Sequence, residues 1–262
     1  MSIYALPAAV AIATIVGVGA MTILREGHSR ATLPFIAIMI AMLLWMTGGL
    51  MMYLSANAET ADFWIRFGSI GLVYTPTAAL FFTIMLIDRA KQTFPWLVGS
   101  VVLSTVFLLT AWLSPLHISG IDHYVWGYYP RYGVIGALFM LYVGVVLGAC
   151  LRMLWVCRKE EPRGSIGSRR ITLLMLGIAV ASLSSVDFLA TIGINFYPVG
   201  FAPVLFLFCI LAFVTWNYRL FDITPALASQ RIIDTMTDAL VVTDDQGIIR
   251  LLNPAACILL GA

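Results

Sequence analysis

The chain has 262 residues, 61% of them hydrophobic and only 11% charged, with a formal net charge of +2 at pH 7. Soluble domains carry roughly 25% charged residues, so this composition excludes a soluble enzyme or a nucleic-acid binder and indicates an integral membrane protein. In such a chain the position of each charge matters more than the sum.

A spanning helix needs about 20 mainly apolar residues. Seven segments meet that length: 3–24, 31–54, 63–87, 95–114, 133–157, 170–194 and 198–219. The first has no basic stretch before it and no small-residue cleavage site ahead of Arg25, so it is expected to remain as a helix. Arg25, Arg30, Arg89, Lys91, Arg152, Arg158, Lys159, Arg163, Arg169, Arg170 and Arg219 fall on one side of the seven segments, and Arg66 and Arg131 on the other. The positive-inside rule then puts the N-terminus outside and the tail in the cytoplasm. No internal repeat is visible.

Within the segments, Gly48-Gly49 and Gly144-x-x-x-Gly148 are small-residue surfaces that allow close helix approach, expected within the bundle. Pro76 and Pro203 are expected to kink the third and seventh segments, whereas Pro34 and Pro95 sit near helix starts. Asp187 is predicted to lie inside the sixth segment, roughly 10 Å from its outer end at 1.5 Å per residue. A carboxylate there is paired or faces a cavity, and is a functional candidate by default. Arg66, a turn inside the third segment, is its expected partner. Asn57 and Asn195 read as helix caps.

The longest outer connection, 114–132, is dense in rings and polar groups: His117, Asp122, His123, Tyr124, Trp126, Tyr128, Tyr129 and Arg131. Two readings stay open, an aromatic belt at the headgroup level and a lid over a pocket between helix ends. The His and Asp spacing is irregular and matches no metal motif, and no metal or other cofactor is expected. The inner loop 158–170, basic and glycine-rich, fixes topology and meets anionic lipid heads. Cys150, Cys157 and Cys209 lie in apolar segments and Cys257 in the tail, so no disulfide is expected.

The apolar region ends at Asn217-Tyr-Arg-Leu-Phe-Asp-Ile-Thr-Pro225, where Thr224 and Pro225 read as an N-cap and first position of a new helix. Beyond it, 239–243, 244–247, 248–252 and Asn253-Pro254 read as strand, tight turn, strand and capped helix start. The fold class is therefore an all-α integral membrane bundle of seven transmembrane helices with a short cytoplasmic α+β fragment.

The order of features resembles the amino-terminal seven-transmembrane sensor region of bacterial histidine kinases and some diguanylate cyclases. The resemblance covers about residues 1–225 and rests on Phe63-Trp64, Tyr74-x-Pro76, the outer loop with His and Trp, and the exit Tyr218-Arg-Leu-Phe-Asp-Ile-Thr-Pro225. Residues 229–262, with Asn253-Pro254-Ala255, resemble the opening of a PAS domain, truncated here because such a domain needs on the order of 100 residues. The expected divisions are a sensor domain at 1–222, a linker helix at 223–238 and a PAS start at 239–262.

The resemblance implies a sensory input module of the bacterial inner membrane, with no catalytic domain in this chain and a histidine kinase or, second, a cyclase as parent. It implies lipids, a small-molecule or membrane-borne stimulus, a homodimer and a downstream response regulator as partners. Candidate ligand residues are Arg66, Tyr74, His117, Asp122, His123, Trp126 and Asp187, under the outer loop; candidate transmission residues are Arg219, Phe221, Asp222 and Pro225. A small-solute transporter or channel is the alternative. A retinal photoreceptor would need a lysine in the last helix, and the chain has only Lys91 and Lys159.

Overall fold

The computed structural model describes residues 3–26, 32–87, 90–162, 164–218, 233, 235–243 and 249–260. The chain forms two compact units, Met1–Phe221 and Asp222–Ala262.

The first unit contains seven helical spans. They are α1 (Leu6–Glu26, after a 3-10 turn Ile3–Ala5), α2 (Thr32–Tyr53), α3 (Ala58–Leu86), α4 (Ala90–Leu113), α5 (Val134–Glu160), the sixth span, and α8 (Phe201–Tyr218). The sixth span is composite: α6 (Ile166–Ala181), a 3-10 stretch Ser182–Asp187, and one turn of α7 (Phe188–Thr191). The 22 residues of α2 reach about 33 Å at 1.5 Å each, enough for the bilayer's hydrocarbon core. The protein is a multi-pass membrane protein. Between α4 and α5 lies a hairpin, β1 (Ile118–Tyr124) and β2 (Gly127–Tyr132), antiparallel and closed by Val125 and Trp126.

Lipid tails are as apolar as leucine, so helices in a bilayer associate through close packing and hydrogen bonds. Both devices converge on α3. A Cβ on Gly48 would overlap Gly68, and one on Gly71 would overlap the Ala41 carbonyl, so α2 and α3 meet backbone to backbone. On its other side Thr77 Oγ1 contacts the hydroxyls of Ser100 (2.6 Å), Ser104 (2.8 Å) and Tyr142 (2.9 Å), which joins α3, α4 and α5 through buried polar groups. The largest core cluster, with Phe35, Met42, Phe82, Leu174, Phe208 and Leu211, packs α2, α3, α6 and α8 together. By contrast α4 exposes Trp96, Val98, Val102 and Leu109, a surface suited to lipid.

Four expectations are corrected. Gly144 and Gly148 are exposed and a Cβ on either would meet nothing, so this pair does not pack within the bundle. Pro203 falls in the first turn of α8, where backbone N–H groups lack helical partners anyway, so it introduces no kink. Asp187 lies in a 3-10 break instead of a regular helix. Asn195 lies six residues ahead of α8 and does not cap it, whereas Asn57 does cap α3, accepting the Thr60 N–H at 2.8 Å.

The second unit has β3 (Val241–Thr243) paired antiparallel with β4 (Ile249–Leu252), then α9 (Pro254–Leu260). Asn253 organises it. Its Oδ1 accepts the N–H groups of Leu240 and Ala256, at 2.8 and 2.9 Å, while Nδ2 donates to the Asp238 carbonyl at 2.8 Å. One buried side chain thus caps α9 and pins the approach to β3, with Pro254 at the first helical position. Most of the expected linker helix 223–238 lies outside the described residues.

Candidate functional site

The bundle encloses a cavity of about 180 Å3 that runs from the hairpin, past α2 and α3, to Phe82 and Leu211. Its walls are apolar along most of that length. Polar groups gather at the hairpin end: Asp187, Tyr53, Tyr129, Tyr132, His117 and Ser184.

Asp187 is 9% exposed. Its carboxylate satisfies the start of another helix: Oδ1 accepts the Gly200 N–H at 2.8 Å, one residue before α8. A negative charge at a helix N-terminus is favoured by the unpaired N–H groups and the aligned peptide dipoles, which is why a carboxylate is tolerated at this depth. The fit demands glycine, because a Cβ on residue 200 would overlap Oδ2. Ser184 Oγ donates to the Gly200 carbonyl at 3.0 Å, so two side chains of the 3-10 break grip one residue from its two adjoining peptides.

The hairpin is tied to that break. Tyr129 donates to the Asp187 carbonyl at 3.3 Å and Tyr124 to the Ala190 carbonyl at 3.1 Å, the latter shared with the Gly193 N–H at 3.3 Å. Trp126, at the tip, is 7% exposed, stacks on Tyr124 with ring centroids 4.6 Å apart, and meets Tyr197 edge-on at 6.0 Å. Burial, and after it the Asp187 charge, raises Tyr129 well above the ordinary tyrosine range, so it acts as a neutral donor.

The sequence candidates separate into groups. Asp187 and His117 line the cavity, and Trp126 closes the hairpin above it; Arg66, Tyr74, Asp122 and His123 do not line it. The expected pairing of Arg66 with Asp187 is not formed. Arg66 Nε donates to Asp62 at 2.7 Å and Nη1 to the Ala111 and Trp112 carbonyls at 2.6 and 3.2 Å, so it satisfies the end of α4 as Asp187 satisfies the start of α8. Depth from helix ends placed the two charges at one level, but each found open backbone groups nearer than the other. Asp122 forms a bidentate pair with Arg131 across the hairpin, and His123 packs on Tyr128.

His117 is a core histidine. Its Nδ1 lies 3.0 Å from Thr110 Oγ1 among the rings of Phe107, Tyr132 and Phe139, and burial lowers it to about 4, which keeps it neutral. Tyr74 bonds Thr105 between α3 and α4. Among the described residues no group of three His, Cys, Asp or Glu side chains could hold a metal. Arg219, Phe221, Asp222 and Pro225 lie outside the described residues.

Sequence reasoning missed Tyr53, Tyr197 and Gly200, and named Tyr129 only as one ring of the outer loop. The hairpin had a readable signal in Tyr124-Val-Trp-Gly-Tyr-Tyr129, a run of strand formers broken by one glycine. Gly127, at φ 128°, occupies a conformation that side chains other than glycine rarely adopt.

Compared with known families, residues 7–225 match the family described as the N-terminal 7TM region of histidine kinase. Residues 229–262 match the PAS fold. No curated protein gives a match.

Proposed function

The chain belongs to the family of N-terminal 7TM regions of histidine kinase and is a signal-transduction sensory module, and we propose that it reads occupancy of the cavity beneath its hairpin. The observation that carries this reading is the buried Asp187 carboxylate, which borders the cavity and holds the first peptide of the last helix. A molecule that engages Asp187 competes with Gly200 for it, and so has different affinity for the two settings of α8. Differential affinity is what a ligand needs to shift a conformational equilibrium. The hairpin feeds the same point through Tyr129 and Tyr124. From α8 the change passes along the exit residues Arg219, Phe221, Asp222 and Pro225 into the PAS region and an output kinase that phosphorylates a response regulator.

The hairpin faces the outside and the tail the cytoplasm, on the distribution of basic residues. The parent works as a homodimer, for which the outward Gly144 and Gly148 face of α5 is available. The test is autophosphorylation of the full-length parent in lipid nanodiscs. Asp187→Asn should change the basal rate by about threefold or more, a shift of roughly 0.7 kcal/mol between the two settings, while Val102→Ala, on the lipid-facing side of α4, should leave it unchanged. Equal basal rates for Asp187→Asn and the wild type, at equal folding, would overturn the reading.

A further inference from the structure

The chemistry of the cavity restricts what it can hold. At about 180 Å3 it slightly exceeds the ~150 Å3 engineered cavity that takes up benzene, so its size suits a ring with one or two further heavy atoms. Most of the wall offers only apolar contact, from residues such as Met42, Met46, Phe82, Leu207 and Leu211. Apart from hydroxyls such as those of Ser69 and Thr75 on α3, the polarity gathers at one end, and the charge there, that of Asp187, has one sign.

No Lys or Arg lines the cavity, and among the described residues none pairs with Asp187. Its carboxylate meets backbone N–H groups only, that of Gly200 on Oδ1 at 2.8 Å and that of Val199, whereas an ionised carboxylate offers about four acceptor sites. Tyr53 and Tyr132 also line this space, and among the described residues their hydroxyls have no hydrogen-bond partner. Tyr53 and Tyr129 line the cavity with Asp187, and tyrosine rings attract cations. An anionic ligand would meet repulsion without a compensating cation, and a wholly apolar one would leave a buried carboxylate short of donors. A cationic donor satisfies both.

We propose that the cavity binds a small hydrophobic amine, its ammonium on Asp187 beneath the tyrosine hydroxyls and its apolar body along α2 and α3. This rests on the sensory reading above and names its ligand class.

The experiment measures binding of benzylamine and of its neutral near-isostere benzyl alcohol to this chain in nanodiscs by ligand-observed NMR. Benzylamine should bind the wild type about tenfold more tightly or better, since a hydrogen bond to a charged group contributes about 1.5 kcal/mol or more. Asp187→Asn should bring the two probes to within about twofold of each other, because it removes the charge and keeps the shape. Gly49→Leu should abolish binding of both: Gly49 lines the cavity, and a Cβ there meets open space, so the leucine fills it without strain on the backbone. That variant keeps the proposal testable even if Asp187→Asn misfolds.

Benzyl alcohol binding as tightly as benzylamine, an amine preference that survives in Asp187→Asn, or binding that survives Gly49→Leu would overturn the assignment. Autophosphorylation of the full-length parent, measured with the same probes, separates this failure from that of the sensory reading. Benzyl alcohol matching the amine in affinity while altering autophosphorylation would reject the amine and keep the sensor. Benzylamine bound through Asp187 with no change in autophosphorylation would keep the amine site and reject its sensory role.

Discussion

At the hairpin end, α8 meets a buried carboxylate, and at its other end an exposed guanidinium. Asp187 accepts Gly200 N–H at one end, while Arg25 Nη2 donates to the Trp216 carbonyl at 2.7 Å and lies 4.8 Å over its ring at the other. Both charges suit the helix dipole, so dipole arguments alone would rank them equal. The setting separates them. Trp216 is 62% exposed and Arg25 is exposed as well, so water and salt can replace their contact. Around Gly200 there is a cavity wall, and a peptide that loses Asp187 has no substitute. The helix is therefore anchored weakly at one end and, on the proposed reading, conditionally at the other.

The largest effect should come from removing the conditional anchor. Asp187→Ala leaves the Gly200 amide unpaired and should lower stability by about 1–3 kcal/mol, read as a fall in the melting temperature in detergent; Asp187→Asn, which retains an acceptor, should cost less. An Asp187→Ala protein that melts with the wild type would erase the distinction between the ends. Next in size is Gly200→Ala, whose Cβ must displace the carboxylate, at about 1–2 kcal/mol. Arg25→Gln should be smaller, about 0.3–1 kcal/mol, and should shrink further in high salt, unlike the Asp187 effect. A salt-independent loss of several kcal/mol at Arg25 would reverse the comparison.

The last effect is one of pH, read as a slope across a window and not as a single loss. Burial holds His117 at about 4 in the fold, below its ordinary 6.5, so between these values the unfolded chain binds more protons and stability rises with pH. Its share is complete above 6.5 and is lost as pH falls toward 4. Melting curves across that window should be flatter for His117→Gln than for the wild type. Identical slopes would mean that His117 is not buried neutral under the hairpin.

The seven spans were legible because a bilayer imposes a length and a polarity that composition alone reveals. The family was legible in the exit sequence, and Asn253-Pro254 announced a capped helix start. The candidate site was legible only in its charges. Asp187 stood out as an ionisable residue among apolar ones, but its partner did not, since a backbone N–H carries no residue signature and every helix end competes for a nearby charge. Arg66, assigned to Asp187 by depth, went to the carbonyl end of α4 for that reason. The tyrosines of the hairpin left a belt and a lid both open because single rings read the same whether they face headgroups or fold back over a cavity. Only the pairing of β1 with β2, which turns Tyr129 inward, separates the two.

Asp187 therefore acts on the last helix and not on Arg66, and paired double-mutant cycles in detergent melting test this directly. Asp187→Ala combined with Gly200→Ala should be non-additive by about 0.5 kcal/mol or more, because both changes break one contact, whereas Asp187→Ala combined with Arg66→Gln should be additive within about 0.3–0.5 kcal/mol. Additivity with Gly200 together with coupling to Arg66 would contradict it.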